Sequence, residues 1–266
     1  MKKALVIPYY NSLNQTKICW LINSRNEYFS QFNQIILIDN GDTDGTSEWI
    51  QKYIISPHTI ITNKDNIGSI PSLQQGYEAV NPDIDYIVYM HNDVLLVDRR
   101  NLANTLDPYF DIINKWNAGV VGLFGAEKLE TNGGRSQCWG AVLEDGLEGN
   151  KIKDSGFQQV ILLDGLFLAV RKKLLDDIGG WDLNYTYHHF YDKDISMESI
   201  KHGYKNYVID IPYYHLNGQT SNQNSYQDWI NKKMEVNNGD ILTHQKSEQY
   251  FLEKWKDYLG KRYDEI

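Results

Sequence analysis

The chain of 266 residues has little cysteine, no basic excess and no apolar run approaching the eighteen or so residues that a membrane helix needs. Its two cysteines, Cys19 and Cys138, lie far apart without CxxC spacing. That excludes a disulfide framework and a zinc ribbon, and it fits a reduced, cytoplasmic setting. Lys plus Arg number 26 against 35 Asp plus Glu, a formal charge of −9. Nucleic-acid phosphates are therefore not the expected partner, because their binders carry a basic face. A small anion bound by so acidic a chain would need a divalent cation to neutralise it. The apolar stretch near the N-terminus, Ala4 to Ile7, is too short for a signal-peptide core or a membrane span, so the chain is expected to begin directly with structure. No repeat, low-complexity tract or linker interrupts it.

What is present is enough for a core: 41% of the residues are hydrophobic, and 19 Tyr and 7 Trp offer rings for packing or for stacking on flat ligands. Short apolar runs alternate with amphipathic segments: Ala4–Pro8 then Gln15–Tyr28, Gln34–Asp39 then Thr46–Tyr53, His58–Thr62 then Ser69–Val80, Tyr86–Asn92 then Asn101–Asn114. Runs such as IILID and YIVYM are continuous rather than alternating, as in strands covered on both faces. The expected fold is α/β, a doubly wound, Rossmann-like, mainly parallel central sheet. Ligands of such sheets sit beyond the carboxyl ends of the strands. Those ends read Pro8-Tyr9-Tyr10-Asn11, Asp39-Asn40-Gly41, Asn63-Lys64-Asp65-Asn66 and His91-Asn92-Asp93. Residues 125–156 are Gly-rich and polar, with Asn132-Gly133-Gly134, Asp145-Gly146 and Gly149-Asn150, and predict hairpins and a mobile loop carrying Trp139. Strands are expected at Val160–Leu163, Leu166–Val170 and Tyr207–Ile211. Helices are expected from Lys172 to the Gly179-Gly180 stop and on to His202 before Gly203, and the tail from Ser225 reads as helices packed on the main domain.

Three constellations carry chemistry. Asp93 ends a buried strand behind His91 and Asn92; a diphosphate-bound Mg²⁺ or Mn²⁺ needs only one or two protein carboxylates, although a strand-ending Asp also serves simply as a turn cap. Asp192-Lys193-Asp194 follows the aromatic, His-rich run from Trp181 to Tyr191. A carboxylate there either stabilises a helix N-terminus or deprotonates an acceptor hydroxyl as general base. His215 follows an apolar strand, and imidazole suits Mn²⁺ better than Mg²⁺.

Taken in order, IPYYN (7–11), LIDNGDTDGT (37–46), NKDNIG (63–68), YMHNDVLL (89–96), LDGLFLAVRKKLLDDIGGWD (163–182), FYDKDIS (190–196) and His215 resemble the GT-A-fold glycosyltransferases of family two, the rhamnosyltransferase-like group included, over about residues 4–218. The resemblance implies a GT-A domain over 1–218, with a nucleotide-sugar half (about 1–95) and an acceptor half (about 96–218), followed by a C-terminal helical extension over 219–266. It implies a nucleotide-diphosphate-sugar donor, a glycan or glycoconjugate acceptor and hexosyltransferase-type chemistry. The donor-side residues would be Pro8, Tyr10, Asn11, Asp39, Asn66, Gly68 and Asn92, with Asp164 and Gly165 at the sugar. The family's DxD motif falls on His91-Asn92-Asp93, whose first acid is replaced, leaving Asp93 with help from His215 to hold a divalent metal, Mn²⁺ before Mg²⁺. Its Glu-Asp pair falls on Tyr191-Asp192, so Asp192 would be the base of an inverting transfer, with Trp181 and Asp194 on the acceptor side. Retaining transfer, and a degraded nucleotide- or sugar-binding module, remain alternatives. The expected location is cytoplasmic, with a lipid-linked acceptor at a membrane surface left open.

Overall fold

The computed structural model describes residues 1–25, 27–54, 58–97, 107–140, 151–152, 156–216 and 224–266. In chain order the first half runs β1 (Lys3–Tyr9), α1 (Leu13–Arg25), β2 (Gln34–Asp39), α2 (Thr46–Tyr53), β3 (Thr59–Thr62), α3 (Ser69–Glu78), β4 (Tyr86–Met90) and β5 (Val94–Leu96). Then come α4 (Asp107–Lys115), β6 (Ala118–Gly122), β7 (Phe124–Leu129), β8 (Arg135–Gly140), β9 (Phe157–Val160), β10 (Leu162–Leu163), β11 (Phe167–Arg171) and α5 (Lys172–Ile178). The chain closes with α6 (Tyr191–Lys201), β12 (Lys205–Ile209), β13 (Tyr213–His215), α7 (Asn224–Met234) and α8 (Gly239–Lys254).

Eight strands form the central sheet in the order β3-β2-β1-β4-β11-β6-β12-β9. β3, β2, β1 and β4 are parallel; β11 is antiparallel to both neighbours, and β9 to β12. Alternation within β1 explains why both faces are covered. Ala4 and Val6 enter one core with Ile36, Ile38, Ile70 and Leu73, while Leu5 and Ile7 enter the other with Trp20, Ile35, Leu37 and Ile50. Gly76 lets α3 lie close on β1, since a Cβ there would stand 2.4 Å from Val6 Cγ1. Because the first four strands run in parallel, their polar carboxyl ends share one edge.

Two small sheets flank this frame. β10, β7 and β8 form an antiparallel sheet, and β13 pairs antiparallel with β5, setting His215 opposite Val94 and so beside Asp93. The end of the chain joins the same core: Phe251 of α8 and the following Trp255 are buried in the cluster that holds Ala4 and Val6.

The α/β alternation expected over the first half is present. Within 125–156 the described part is the β7–β8 hairpin, with Trp139 on β8; Asp145-Gly146 and Gly149-Asn150, where the mobile loop is expected, lie outside the described residues. So do the first part of the helix expected over 101–114 and the boundary set at 218/219. Sequence periodicity missed β6, whose AGVVG is framed by glycines, and the short β5 and β13.

Candidate functional site

Two clefts open at the carboxyl edge of the sheet. The first, about 230 Å³, lies over the ends of β1 and β4, with Pro8, Tyr10, Asn66, Gly68, Asn92, Asp93 and His215 among its walls. The second, about 300 Å³, is walled by Arg135, Asp164, Asp192, Lys193, His189 and His244. His91, Gly165, His188 and Tyr191 line both, so the clefts meet there.

The floor of the first cleft is held by side-chain amides. Asn66 Oδ1 accepts from Asn40 Nδ2 and from Gly68 N, each at 2.8 Å, and Asn40 Oδ1 accepts from Ile67 N at 3.0 Å. A buried amide used this way fixes a loop without adding charge. Asn11 and Asp39 are placed differently from the donor-contacting expectation. Asn11 Oδ1 accepts from Thr43 N (2.7 Å), while Asp39 accepts from Gly41 N (3.1 Å), Asp42 N (2.8 Å) and Ser47 Oγ (2.6 Å). Both hold the 41–47 loop, and neither is among the residues walling the cleft. Asn92 lines the cleft while its amide donates to Thr16 Oγ1 at 3.0 Å.

Beside this floor, His91, Asp93 and His215 bring one ligand atom each within 4.8 Å of one another. His215 Nε2 stands 3.2 Å from Asp93 Oδ1. Burial would raise the Asp93 carboxyl, but the hydrogen bond and charge of His215, with the charge of His91, hold it below the usual carboxylate range. Two imidazoles and one carboxylate form a recognised divalent-cation ligand set. The residues therefore fit a divalent cation. His91, a potential ligand by its place before Asp93 in the sequence but outside the metal set of Asp93 and His215 expected there, joins that set here.

Tyr191 joins the clefts. Its hydroxyl lies 3.1 Å from His91 Nε2, and a Cβ added at Gly165 would come within 2.2 Å of it. Gly165 is thus required by close approach. In the second cleft Arg135 Nη1 donates to Asp164 Oδ2 at 2.6 Å. Burial alone would raise Asp164, yet the Arg135 charge and hydrogen bond keep it low. Asp192 accepts from Gly165 N (3.1 Å) and Lys193 N (2.9 Å). Burial and then the negative charge of Asp164 push its carboxyl above the ordinary value, with Arg135 and Lys193 pulling the other way. An anionic acceptor of protons, raised and facing a cleft, is what a general base requires.

Two residues expected on the acceptor side make their contacts elsewhere in the structure. Asp194 points away from this cleft: it accepts from Tyr185 Oη (2.8 Å), Trp255 Nε1 (2.8 Å) and Lys254 Nζ (3.0 Å), anchoring the C-terminal helix. The Trp181 ring is buried edge-on against Tyr89 (4.9 Å between centroids) and Tyr191 (5.7 Å), so its faces are packed and not open to a sugar. The sequence reading also missed Arg135, the only arginine between Gly125 and Gly156, and the α7 pair Tyr226 and Trp229, which complete the first cleft.

A family model described as "Glycosyltransferase like family" matches residues 49–255. The chain belongs to this glycosyltransferase-like family. No curated protein matches it. Among solved structures, the chain resembles a mannosyltransferase from Pyrobaculum calidifontis in complex with GDP-Man and Mn²⁺ (TM-score 0.52, 14% identity, 87% of this chain and 60% of that one). It also resembles GalNAc-T7 with UDP, GalNAc and Mn²⁺ (0.59, 14%, 80% and 43%) and S. aureus TarS 1-349 in complex with UDP-GlcNAc (0.53, 14%, 96% and 73%). The chain thus spans 60% of the mannosyltransferase and 43% of GalNAc-T7. The fold of the chain is GT-A, as the resemblance in its motifs implies. Among its described residues no helix is long and apolar enough to cross a membrane.

Proposed function

We propose that the protein transfers a sugar, by hexosyltransferase-type chemistry and with inversion, from a nucleotide-diphosphate sugar in the first cleft to an acceptor hydroxyl in the second. The acceptor is a glycan or glycoconjugate, either dissolved or lipid-linked at a membrane surface. The observation that carries this reading is the meeting of two clefts at Tyr191 and Gly165, one bearing the His91, Asp93 and His215 cluster and the other bearing Asp192. The domain division at about residue 218 is part of the same proposal, with Tyr226 and Trp229 of the C-terminal extension closing the donor side.

His91, Asp93 and His215 would hold the divalent cation, Mn²⁺ before Mg²⁺, which supplies Lewis-acid stabilisation of the departing diphosphate. The chain's own residues do the rest. The donor is oriented over Pro8, Tyr10 and the amide-held Asn66–Gly68 floor. Asp192, fixed by two backbone amides, takes the acceptor hydroxyl proton as the oxygen attacks the anomeric carbon from the face opposite the leaving group; such a base contributes about a hundred- to ten-thousand-fold. Arg135 holds Asp164 ionised beside it and so keeps Asp192 the more basic of the two. The relatives solved with GDP-Man, UDP-GlcNAc or Mn²⁺ support the donor class without selecting base or sugar. The test incubates the chain and Mn²⁺ with UDP-, GDP- and dTDP-sugars, follows nucleoside diphosphate release, and reads the anomeric configuration of the product by NMR. Inversion with one donor supports the proposal; retained configuration, or no turnover with any donor, contradicts it.

A further inference from the structure

A second convergence of histidine and carboxylate lies outside the cluster assigned above. We propose that His188, His189 and Asp240 form another divalent-cation site, in the wall between the two clefts, that takes an imidazole-binding ion such as Zn²⁺ or Mn²⁺ over Mg²⁺. Their ligand atoms lie within 4.8 Å of one another. Both Nε2 atoms converge on one oxygen, Asp240 Oδ1, at 2.8 Å from His188 and 3.4 Å from His189. Two imidazoles and one carboxylate are a recurring three-ligand set that leaves coordination positions open. Those positions would face ligand, since His188 lines both clefts and His189 the cleft of Asp192.

The surroundings hold the set in place, as the outer partners of a metal site do. Tyr226 Oη sits 3.1 Å from Asp240 Oδ1 and contacts the His188 ring, and the His244 ring lies 4.9 Å from His189. The histidine pair is bracketed by two non-glycine residues in the left-handed region, Tyr187 (φ 56°) and Phe190 (φ 66°). Backbone strain of this kind persists where the surrounding structure over-determines a functional geometry. Asp240 is on α8 and the histidines precede α6, so a bound ion would fasten the C-terminal helices to the loop between the clefts. The proposal is independent of sugar transfer.

The test measures bound metal after the chelator-stripped full chain is dialysed against Zn²⁺ alone at neutral pH. Two equivalents are expected for the natural chain, one for His189→Gln/Asp240→Asn, and one for Asp93→Asn/His215→Gln. Unchanged stoichiometry in His189→Gln/Asp240→Asn overturns the proposal. So does complete loss of binding in Asp93→Asn/His215→Gln. That second variant leaves the proposed ligands untouched, so it also gives a readout free of any folding defect at residues 189 and 240: Zn²⁺ must raise its Tm, and an unmoved Tm overturns the site.

Discussion

Asp192 and Asp194 are two residues apart and chemically identical, yet the fold gives them separate tasks. Asp194 accepts from Tyr185, Trp255 and Lys254, all at 3.0 Å or less. Removing its carboxylate strands two buried donors at about 1–3 kcal/mol each. Asp194→Ala is therefore expected to lower stability by about 3 kcal/mol in urea titration; a change within about 0.5 kcal/mol, the scatter of a neutral surface site, would contradict this role. Asp192 faces the second cleft with its carboxyl raised by burial and by Asp164. A base works ionised, so turnover should fall as pH drops through a midpoint above the usual value of about 3.9. Arg135 lowers that midpoint by its charge. Asp164 raises it, so Asp164→Asn should move the acid limb of the pH–rate profile to lower pH; an unmoved or upward-shifted limb would contradict this. The sequence shows Asp192 and Asp194 together after an aromatic run, and only the family resemblance singled out Asp192; spacing alone could not separate the two, because direction off a helix's first turn is set by tertiary partners such as Lys254. For the same reason the sequence left Trp181 divided between stacking on a sugar and packing in the core, and its ring is enclosed by Tyr89 and Tyr191.

At the scale of elements, the legible parts were those with a long, strong period. β1, β2 and β4 are continuous apolar runs buried on both faces, and each ends in polar residues that turn on steric grounds as much as functional ones. The short ribbon of β5 and β13 carries three residues per strand, too few for a periodic signal, yet it is what sets His215 opposite Val94. The tail was readable as helices packed on the main domain, whereas which of its rings enter the core was not, since long-range packing leaves no local mark. Phe251 of α8 is fully buried against Phe190, at 5.4 Å between ring centroids, in the same cluster as β1. Truncating such a ring in a packed core costs about 3–5 kcal/mol. Phe251→Ala should therefore shift the whole cooperative transition by that amount in denaturant unfolding. Loss of only a separate minor transition would mean that α8 is an appendage with its own stability.

Over the whole molecule, the acidic balance of −9 excluded a polyanion and asked for a cation wherever a diphosphate is to bind. The fold answers with His91, Asp93 and His215 at the carboxyl edge of the parallel strands, and with Asp192 across Tyr191 from them. The architecture was legible because alternating strand and helix patterns admit few topologies. The division of labour between the clefts was not, because Arg135, His188, Tyr226 and Trp229 come from segments far apart in sequence that only the folded chain assembles. The central claim is that Asp192 is the base for transfer between these clefts. Its most direct measurement is the turnover of Asp192→Asn with the donor that the natural chain uses, alongside calorimetric binding of that donor. The expected result is a loss of about a hundred- to ten-thousand-fold in kcat with donor affinity kept within about threefold. Turnover close to that of the natural chain would contradict it.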